Sequence, residues 1–319
     1  MPGAAIQLPR TSAMSTALIA IDWGTSSARA YRLDTRGCVL EQKSAPLGVQ
    51  KVAAGGFPGA LRALLDDGAG DDLPMIACGM IGSRQGWIEA PYRDCPADFG
   101  AIAAALTAVP GTRLSIVPGL LCRDAAGVPD VMRGEETQIF GALDEPTERH
   151  GTRRAVVLPG THSKWALVGA NGIETFATFM TGELYSVLRE HSILGRLAAA
   201  GDDTAALEQG LRRSFGVDAS LSHDLFSART LALTARLAPE AIGDYLSGLL
   251  LGAEITAGRR WLEQHAAAGG SVTLIGDAPL CERYRRAFGL AGLEATLGQP
   301  AAAARGLWRI AQHAGMVGS

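Results

Sequence analysis

The stretch Asp22-Trp23-Gly24-Thr25-Ser26-Ser27 sets a carboxylate, a glycine and a run of hydroxyls side by side. Small donors converging in a turn suit a phosphate chain, because backbone N–H groups and short hydroxyls reach its oxygens without bulk. In that reading Gly24 lets the backbone approach, Thr25 and Ser26 offer hydroxyls, and Asp22 supplies a carboxylate for the Mg²⁺ that accompanies ATP. The same residues also suit a plain hairpin turn. A second stretch, Gly160-Thr161-His162-Ser163-Lys164-Trp165, adds a lysine to a similar set, and the chain has only three lysines, Lys43, Lys51 and Lys164. Lys164 reads either as a compact point charge for phosphate or as an exposed turn residue. His162 reads either as a ligand contact or as a hydrogen-bonding and packing residue. A third stretch, Met132-Arg133-Gly134-Glu135-Glu136-Thr137-Gln138, places two carboxylates at the start of a helix, where the helix dipole favours acids in any case. Phosphoryl transfer to an alcohol needs a carboxylate within reach of the hydroxyl, so Glu135 and Glu136 are the candidate bases. Arg133 can meet a substrate carboxylate bidentately or serve as a surface ion-pair residue.

Such turns need strands to hold them. Residues 16–34 read as two strands around the first turn, with a third at Cys38–Gln42. Ala60–Leu65, Ala101–Ala108 and Glu135–Leu143 read as helices, and Met75–Met80 and Leu114–Pro118 as strands. The polar, turn-rich stretch Asp144–Arg154 then marks a boundary. It divides the chain into domains at 14–148 and 149–319, behind a disordered leader at 1–13, and Met14 offers an alternative start. The second half opens as the first does: Ala155–Leu158 apolar, a Gly/Thr/Ser turn, then Trp165–Val168 apolar. Beyond it the pattern is largely helical, over Gly182–Leu188, Thr204–Phe215, Ala228–Leu237 and Ala241–His265. A strand at Val272–Ile275, a loop at Gly276, and helices at Cys281–Phe288 and Arg305–His313 complete the reading.

Composition narrows the class. At 319 residues, two cores separated by a cleft are the natural expectation. A net charge of −3 with scattered basic residues offers no counterion-releasing stripe for nucleic acid. Cys38, Cys78, Cys95, Cys122 and Cys281 form no C-x-x-C pair, which argues against a disulfide framework or a zinc site and fits a reducing cytoplasm. No run of eighteen apolar residues suggests a membrane span. The motifs G-x-x-x-x-G-K-[ST], G-x-G-x-x-G, G-x-S-x-G and H-E-x-x-H do not occur, which removes the Walker, Rossmann and simplest hydrolase readings.

The order of parts resembles the actin/hexokinase/Hsp70 superfamily: phosphate hairpin (Ile19–Arg29), acidic helix start (Arg133–Gly141), second phosphate hairpin (Val157–Leu167), adenosine loop (Leu274–Leu280) and closing helix (Arg305–His313). Within it, the stretches IDWGTSSARA, GMIGSRQGW, VMRGEETQ, LPGTHSKW, FMTGELYSVL, HSILG and SGLLLGAE are similar to the 2-dehydro-3-deoxygalactonokinases. The resemblance implies an α/β fold of two ribonuclease H-like domains with a cleft between them. It implies ATP and Mg²⁺ as cofactors and phosphorylation of the C6 hydroxyl of 2-dehydro-3-deoxy-D-galactonate, a 2-keto-3-deoxy sugar acid. Asp22, Gly24, Thr25 and Ser26 match the first phosphate motif, Asp22 being the metal carboxylate, and Gly160, Thr161, His162 and Lys164 fall in the second. Gly276 and Asp277 fall in the adenosine loop, where related kinases carry small neutral residues. Glu135 or Glu136 is the base, and Lys164 the catalytic cation. Ser83, Arg84 and Trp87, with Thr181 and Glu183, would line the sugar site, and Arg84, Arg133 or Arg229 would hold the acid. Neither nucleic acid nor membrane is an expected partner, and a homodimer is left open. Two readings compete: a kinase of this fold acting on another sugar or sugar acid, and a silent sensor of sugar or nucleotide.

Overall fold

The structure is a computed structural model that describes residues 15–66, 72–143, 153–265, 267 and 270–318. The leader expected at 1–13 and most of the boundary expected at 144–154 lie outside the described residues. Apolar residues on both faces mark the central strand β1 (Leu18–Trp23), which can therefore only be interior. It pairs antiparallel with β2 (Ala28–Leu33), which pairs antiparallel with β3 (Val39–Ala45). On its other side β1 runs parallel to β4 (Met75–Cys78), and β4 runs parallel to β7 (Leu114–Ile116). A short edge strand, β6 (Thr107–Ala108), closes this six-stranded sheet. Strand alternation splits β1 between two cores. Ile19, Ile21 and Trp23 pack with α1 (Phe57–Leu65), while Leu18 and Ala20 pack on the face that carries α3 (Glu135–Ala142).

The second half repeats the plan. β10 (Arg154–Leu158) pairs antiparallel with β11 (Ser163–Gly169), and β11 with β12 (Gly172–Phe179). β10 also runs parallel to β13 (Val272–Leu274), which pairs parallel with β14 (Ala295–Leu297). Three antiparallel strands followed by two parallel ones occur in the same spatial order in both sheets. Helices α5 (Thr204–Ser214), α7 (Ile242–Gln264) and α8 (Ala278–Leu290) cover this sheet, joined by α4 (Thr181–His191) and α6 (Leu221–Leu233). A three-stranded sheet of β5 (Arg93–Asp94), β8 (Leu120–Arg123) and β9 (Pro129–Met132) lies against β12. The short helix α2 (Phe99–Ala103), capped by the Asp98 side chain, follows β5.

The last helix, α9 (Ala302–His313), packs on α3, β1 and β4 of the first half. Two glycines set that approach. A Cβ on Gly141 would lie 1.8 Å from the Ala302 carbonyl, and one on Gly306 would lie 1.9 Å from the Thr137 carbonyl. The helix backbones therefore touch where α3 and α9 cross.

Four expectations need correction. A helix over 101–108 gives way to α2 ending at Ala103 and the edge strand β6, because Thr107 and Ala108 find a partner in β7. The stretch between Val168 and Gly182, for which no strand was expected, forms one: Gly172, at φ 85°, turns the chain into β12, and an Asn171-Gly172 pair before Ile173, Thr175 and Phe176 is a hairpin signal. The helix expected from Ala228 to Leu237 runs instead from Leu221 to Leu233. Strands β5, β8, β9 and β14 add to the expected set, each too short to show a period.

Candidate active site

The first turn closes tightly. Asp22 faces Arg29 across the β1–β2 ladder, and the Gly24 N–H donates to the Ser27 carbonyl at 2.9 Å. Val49 and Gln50 donate their N–H groups to the carbonyls of Gly24 and Thr25, so a 3-10 turn (Val49–Lys51) braces the loop from outside. Thr25, Ser26 and Ser27 are left exposed at its tip. Asp22 is half-buried, and burial pushes its carboxyl above the usual range against the pull of Arg29.

Two glycines carry the chain from this turn to the acidic helix. Gly79, at φ 92°, sits so close to β1 that a Cβ would meet the Trp23 carbonyl at 2.8 Å, with an Asp22 carboxylate oxygen at 3.6 Å. Gly134, at φ 105°, packs on Gly79, where a Cβ would lie 3.1 Å from the Gly79 Cα. Both positions demand glycine on conformation as well as space. The consequence is that Glu135 and Glu136 start α3 beside the end of β1.

The two glutamates differ. Glu136 is fully buried, accepts from the Gly134 N–H at 2.7 Å and the Thr137 hydroxyl at 2.9 Å, and is pushed up to about 7 by burial and then by the nearby Glu135 charge. Glu135 is half-buried and accepts from the Arg133 N–H at 2.9 Å through one oxygen. Burial raises its carboxyl too, opposed first by the Lys164 charge and also by His162. Buried Cys78, at the end of β4, feels Asp22, Glu136 and Glu135 together, though desolvation is the larger reason its thiol is raised. The first turn, the acidic helix start and the second turn thus share one electrostatic neighbourhood.

Because Glu136 carries a proton more readily folded than unfolded, its contribution to stability is present below the ordinary glutamate range and declines as pH rises from about 4.5 to about 7. We expect Glu136→Gln to flatten that part of the curve of unfolding free energy against pH, measured by urea titration. An unchanged slope would contradict the assignment.

The second turn is seated on α4. A Cβ on Gly182 would strike the Gly160 carbonyl at 2.5 Å, Glu183 donates its N–H to the Thr161 carbonyl, and the Glu183 carboxylate pairs with His162. Behind the turn lies a buried network. The Ser163 hydroxyl meets the Tyr284 hydroxyl at 2.7 Å, and Tyr284 and the Trp165 indole both donate to Glu254 at 2.8 Å. Thr181 joins the same carboxylate. Gly276 lies beside this turn, 3.5 Å from Pro159 O for a built Cβ.

Lys164 is not an exposed turn residue. It lies on β11 with 5% exposure and donates to the Val131 carbonyl at 2.8 Å and the Thr178 hydroxyl at 2.7 Å. Asp130 accepts from the same Thr178 hydroxyl at 2.6 Å and from its N–H at 2.7 Å. This cluster ties β11 and β12 of the second sheet to β9. Thr178→Val would leave a buried ammonium and a carboxylate each short of a partner, and we expect it to cost about 1–3 kcal/mol, read as a lower urea midpoint.

Other expected residues sit elsewhere. Asp277 turns its carboxylate onto its own helix and accepts from the Leu280 N–H as the N-cap of α8, which accounts for an acid in that loop. Trp87 stacks on Phe57 at 6.0 Å between ring centres, within the first core. Arg84 is 86% exposed and paired with Glu89, and Arg229, on α6, reaches only the Ile193 carbonyl at 3.5 Å. Ser83 lies at the end of the 3-10 turn Met80–Gly82 with its hydroxyl buried. Sequence reasoning missed Glu254, Tyr284, Asp130 and Thr178. Glu254 left a signal, as the one charged residue between Asp244 and Arg259 in an apolar helix.

Comparison with known proteins adds a decisive observation: the family profile described as 2-keto-3-deoxy-galactonokinase matches residues 22–310, from the Asp22 turn into α9. The chain belongs to that family. This 2-keto-3-deoxy-galactonokinase family member is 36% identical over 286 residues to the 2-dehydro-3-deoxygalactonokinase of Escherichia coli (strain K12), covering 89% of this chain and 93% of that one. The crystal structure of a Sinorhizobium meliloti protein provisionally named a 2-dehydro-3-deoxygalactonokinase matches with a TM-score of 0.81 at 36% identity, over 92% of this chain and 98% of that chain. The fold extends further, to a dehydratase activator from Clostridium difficile with a TM-score of 0.50 at 12% identity, covering 93% of each chain. The kinase is therefore an α/β protein of the actin/hexokinase type, with two ribonuclease H-like halves. Among its described residues no helix is long and apolar enough to cross a membrane, and no group of three or more acidic, His or Cys side chains could hold a metal ion.

Proposed function

We propose that the protein transfers the γ-phosphoryl group of ATP to the C6 hydroxyl of 2-dehydro-3-deoxy-D-galactonate, giving 2-dehydro-3-deoxy-6-phospho-D-galactonate in galactonate breakdown. The observation that carries the proposal is that Lys164, from the second turn, donates to the Val131 carbonyl on β9, four residues before Glu135, while Gly79 and Gly134 seat Glu135 beside the end of β1 that carries Asp22. That placement supports a reading in which two turns far apart in the chain, with the acidic helix start between them, serve one site. We assign the two halves to residues 14–148 and 149–319, with α9 returning to the first. The triphosphate lies between them, held by the N–H groups and hydroxyls of Gly24, Thr25 and Ser26 on one side and Gly160 and Thr161 on the other.

Glu135 is the base. Among the described residues its other oxygen takes no side-chain hydrogen bond, whereas both oxygens of Glu136 are engaged and sealed from solvent. As the C6 oxygen bonds to the γ-phosphorus, its proton passes to Glu135 and the bond to the β-phosphate oxygen breaks, releasing ADP. The buried hydrogen bonds of Lys164 to the Val131 carbonyl and the Thr178 hydroxyl tie β11 to β9 and so fix the strand that leads into the Glu135 loop. Asp22, a half-buried carboxylate at the head of the first turn, is the residue that would hold a Mg²⁺ arriving with the nucleotide. That ion would neutralise charge on the phosphate oxygens. Free cysteines throughout fit a reducing cytoplasm.

The test is a coupled ADP-release assay with 2-dehydro-3-deoxygalactonate against its gluconate epimer, with the product analysed by ³¹P NMR. We expect ADP and a C6 phosphate ester in equal amounts, with the galacto acid preferred. ADP release without a sugar phosphate, or turnover confined to other sugars, would sink the assignment.

A further inference from the structure

A guanidinium holds its charge at any pH the protein meets, so its buried N–H groups need acceptors. Arg133 lacks them. Its Nη2 donates to the Ala90 carbonyl at 2.8 Å and one face of the group lies over the Tyr92 ring at 4.4 Å, which fixes its orientation. Nε and Nη1 are sealed from water and have no hydrogen-bond partner. Nη1 lies beside Gly82, where a built Cβ would come within 2.9 Å of it. The next residue is Ser83, whose hydroxyl is also buried without a partner. Four side-chain atoms are in this condition among the described residues: two belong to Arg133, one to Ser83 next to the Gly82 that Nη1 approaches, and the fourth is an oxygen of Asp34. Tyr92 itself fits only because position 119 is glycine, where a Cβ would strike its ring at 2.6 Å. Three donors with one net positive charge and no acceptor describe a site for a small anion.

Its neighbours say which anion. The Arg133 N–H donates to Glu135, so this donor set and the proposed base are two residues apart on one braced loop. Of the three arginines named from sequence, Arg84 is spent on Glu89 in open solvent and Arg229 lies on α6, outside the glutamate neighbourhood. We infer that Arg133, together with the Ser83 hydroxyl, anchors the C1 carboxylate of the sugar acid and so selects acids over neutral sugars. The inference rests on the kinase reading above. With the carboxylate held at Arg133 and the base at Glu135, the length of the substrate between C1 and C6 decides which hydroxyl is presented.

The experiment uses the full chain and compares the sugar acid with its neutral C1 amide, for the unaltered protein and for Arg133→Gln, Arg133→Lys and Ser83→Ala. For Arg133→Gln we expect KM for the acid to rise about 100-fold, KM for ATP to stay within about 2-fold, and the preference for acid over amide to vanish. Arg133→Lys, which keeps the charge without the fork, should restore part of that preference, and Ser83→Ala should raise KM for the acid about 10-fold. Melting temperatures confirm that each variant is folded, and calorimetric binding of the acid gives a readout independent of turnover. If folded Arg133→Gln or Arg133→Lys binds the acid as the unaltered chain does, loses acid and amide alike, or loses ATP instead, the assignment is overturned. Should the unaltered chain turn over no sugar acid at all, the kinase reading falls with it; a normal unaltered enzyme with an indifferent Arg133 variant sinks only this inference.

Discussion

Glu135→Gln should lower kcat by about 10²–10⁴-fold while leaving KM for ATP nearly unchanged. The amide oxygen can still accept from the Arg133 N–H, so the loop keeps its shape, but the group can no longer take a proton. Glu135 reaches the start of α3 only because Gly79 and Gly134 bring that loop against β1. Its carboxyl is raised by burial, with Lys164 and His162 pulling it back. Folding to that state means the base form is lost on the acidic side at a pH above the ordinary glutamate range. The acid limb of kcat/KM against pH should accordingly lie above that range and disappear in Glu135→Gln. Turnover within about 3-fold of the unaltered enzyme would show that another group accepts the proton.

Gly306→Ala should be among the most destabilising single methyl additions, because it forces two helix backbones apart. Its new Cβ would need to share space with the Thr137 carbonyl, 1.9 Å away, and that carbonyl belongs to the backbone of α3. Overpacking of this kind costs about 1–3 kcal/mol when neighbours can shift, and here the neighbour is a helix. We expect the melting temperature to fall by several degrees, at about 2–4 °C per kcal/mol for a chain of this size. Activity should fall as well, because the displaced helix carries Glu135 and Glu136 at its first turn. An unchanged melting temperature would mean that α3 and α9 separate without cost, and that their close crossing does not position the site.

Both sheets' leading hairpins were legible because strand alternation and turn chemistry agree there: Leu18–Trp23 is apolar on both faces, and Gly24 and Gly160 stand where turns need small residues. The acidic helix start was legible from Glu135 and Glu136 following a glycine. What sequence could not give was the burial that separates these two carboxylates, since that depends on Gly79, which is distant in the chain. Lys164 shows the same limit. Its place beside Gly160 suggested a turn residue, yet strand register carries it inward to Val131 and Thr178, partners remote along the chain. Asp277 looked out of place among phosphates until its carboxylate proved to be a helix cap, a local role that Asp277-Ala278-Pro279-Leu280 does encode. The return of α9 to the first sheet had no local signal. Its small residues, Ala302 and Gly306, became meaningful only beside Gly141.

Catalysis at this site requires one nucleotide to be shared by two turns. Hydrogen–deuterium exchange during titration with a non-hydrolysable ATP analogue and Mg²⁺ tests this most directly. Amides at residues 24–27 and at 160–163 should gain protection together, with a single midpoint in analogue concentration. Protection of one segment alone, or of the two at clearly different concentrations, would contradict it.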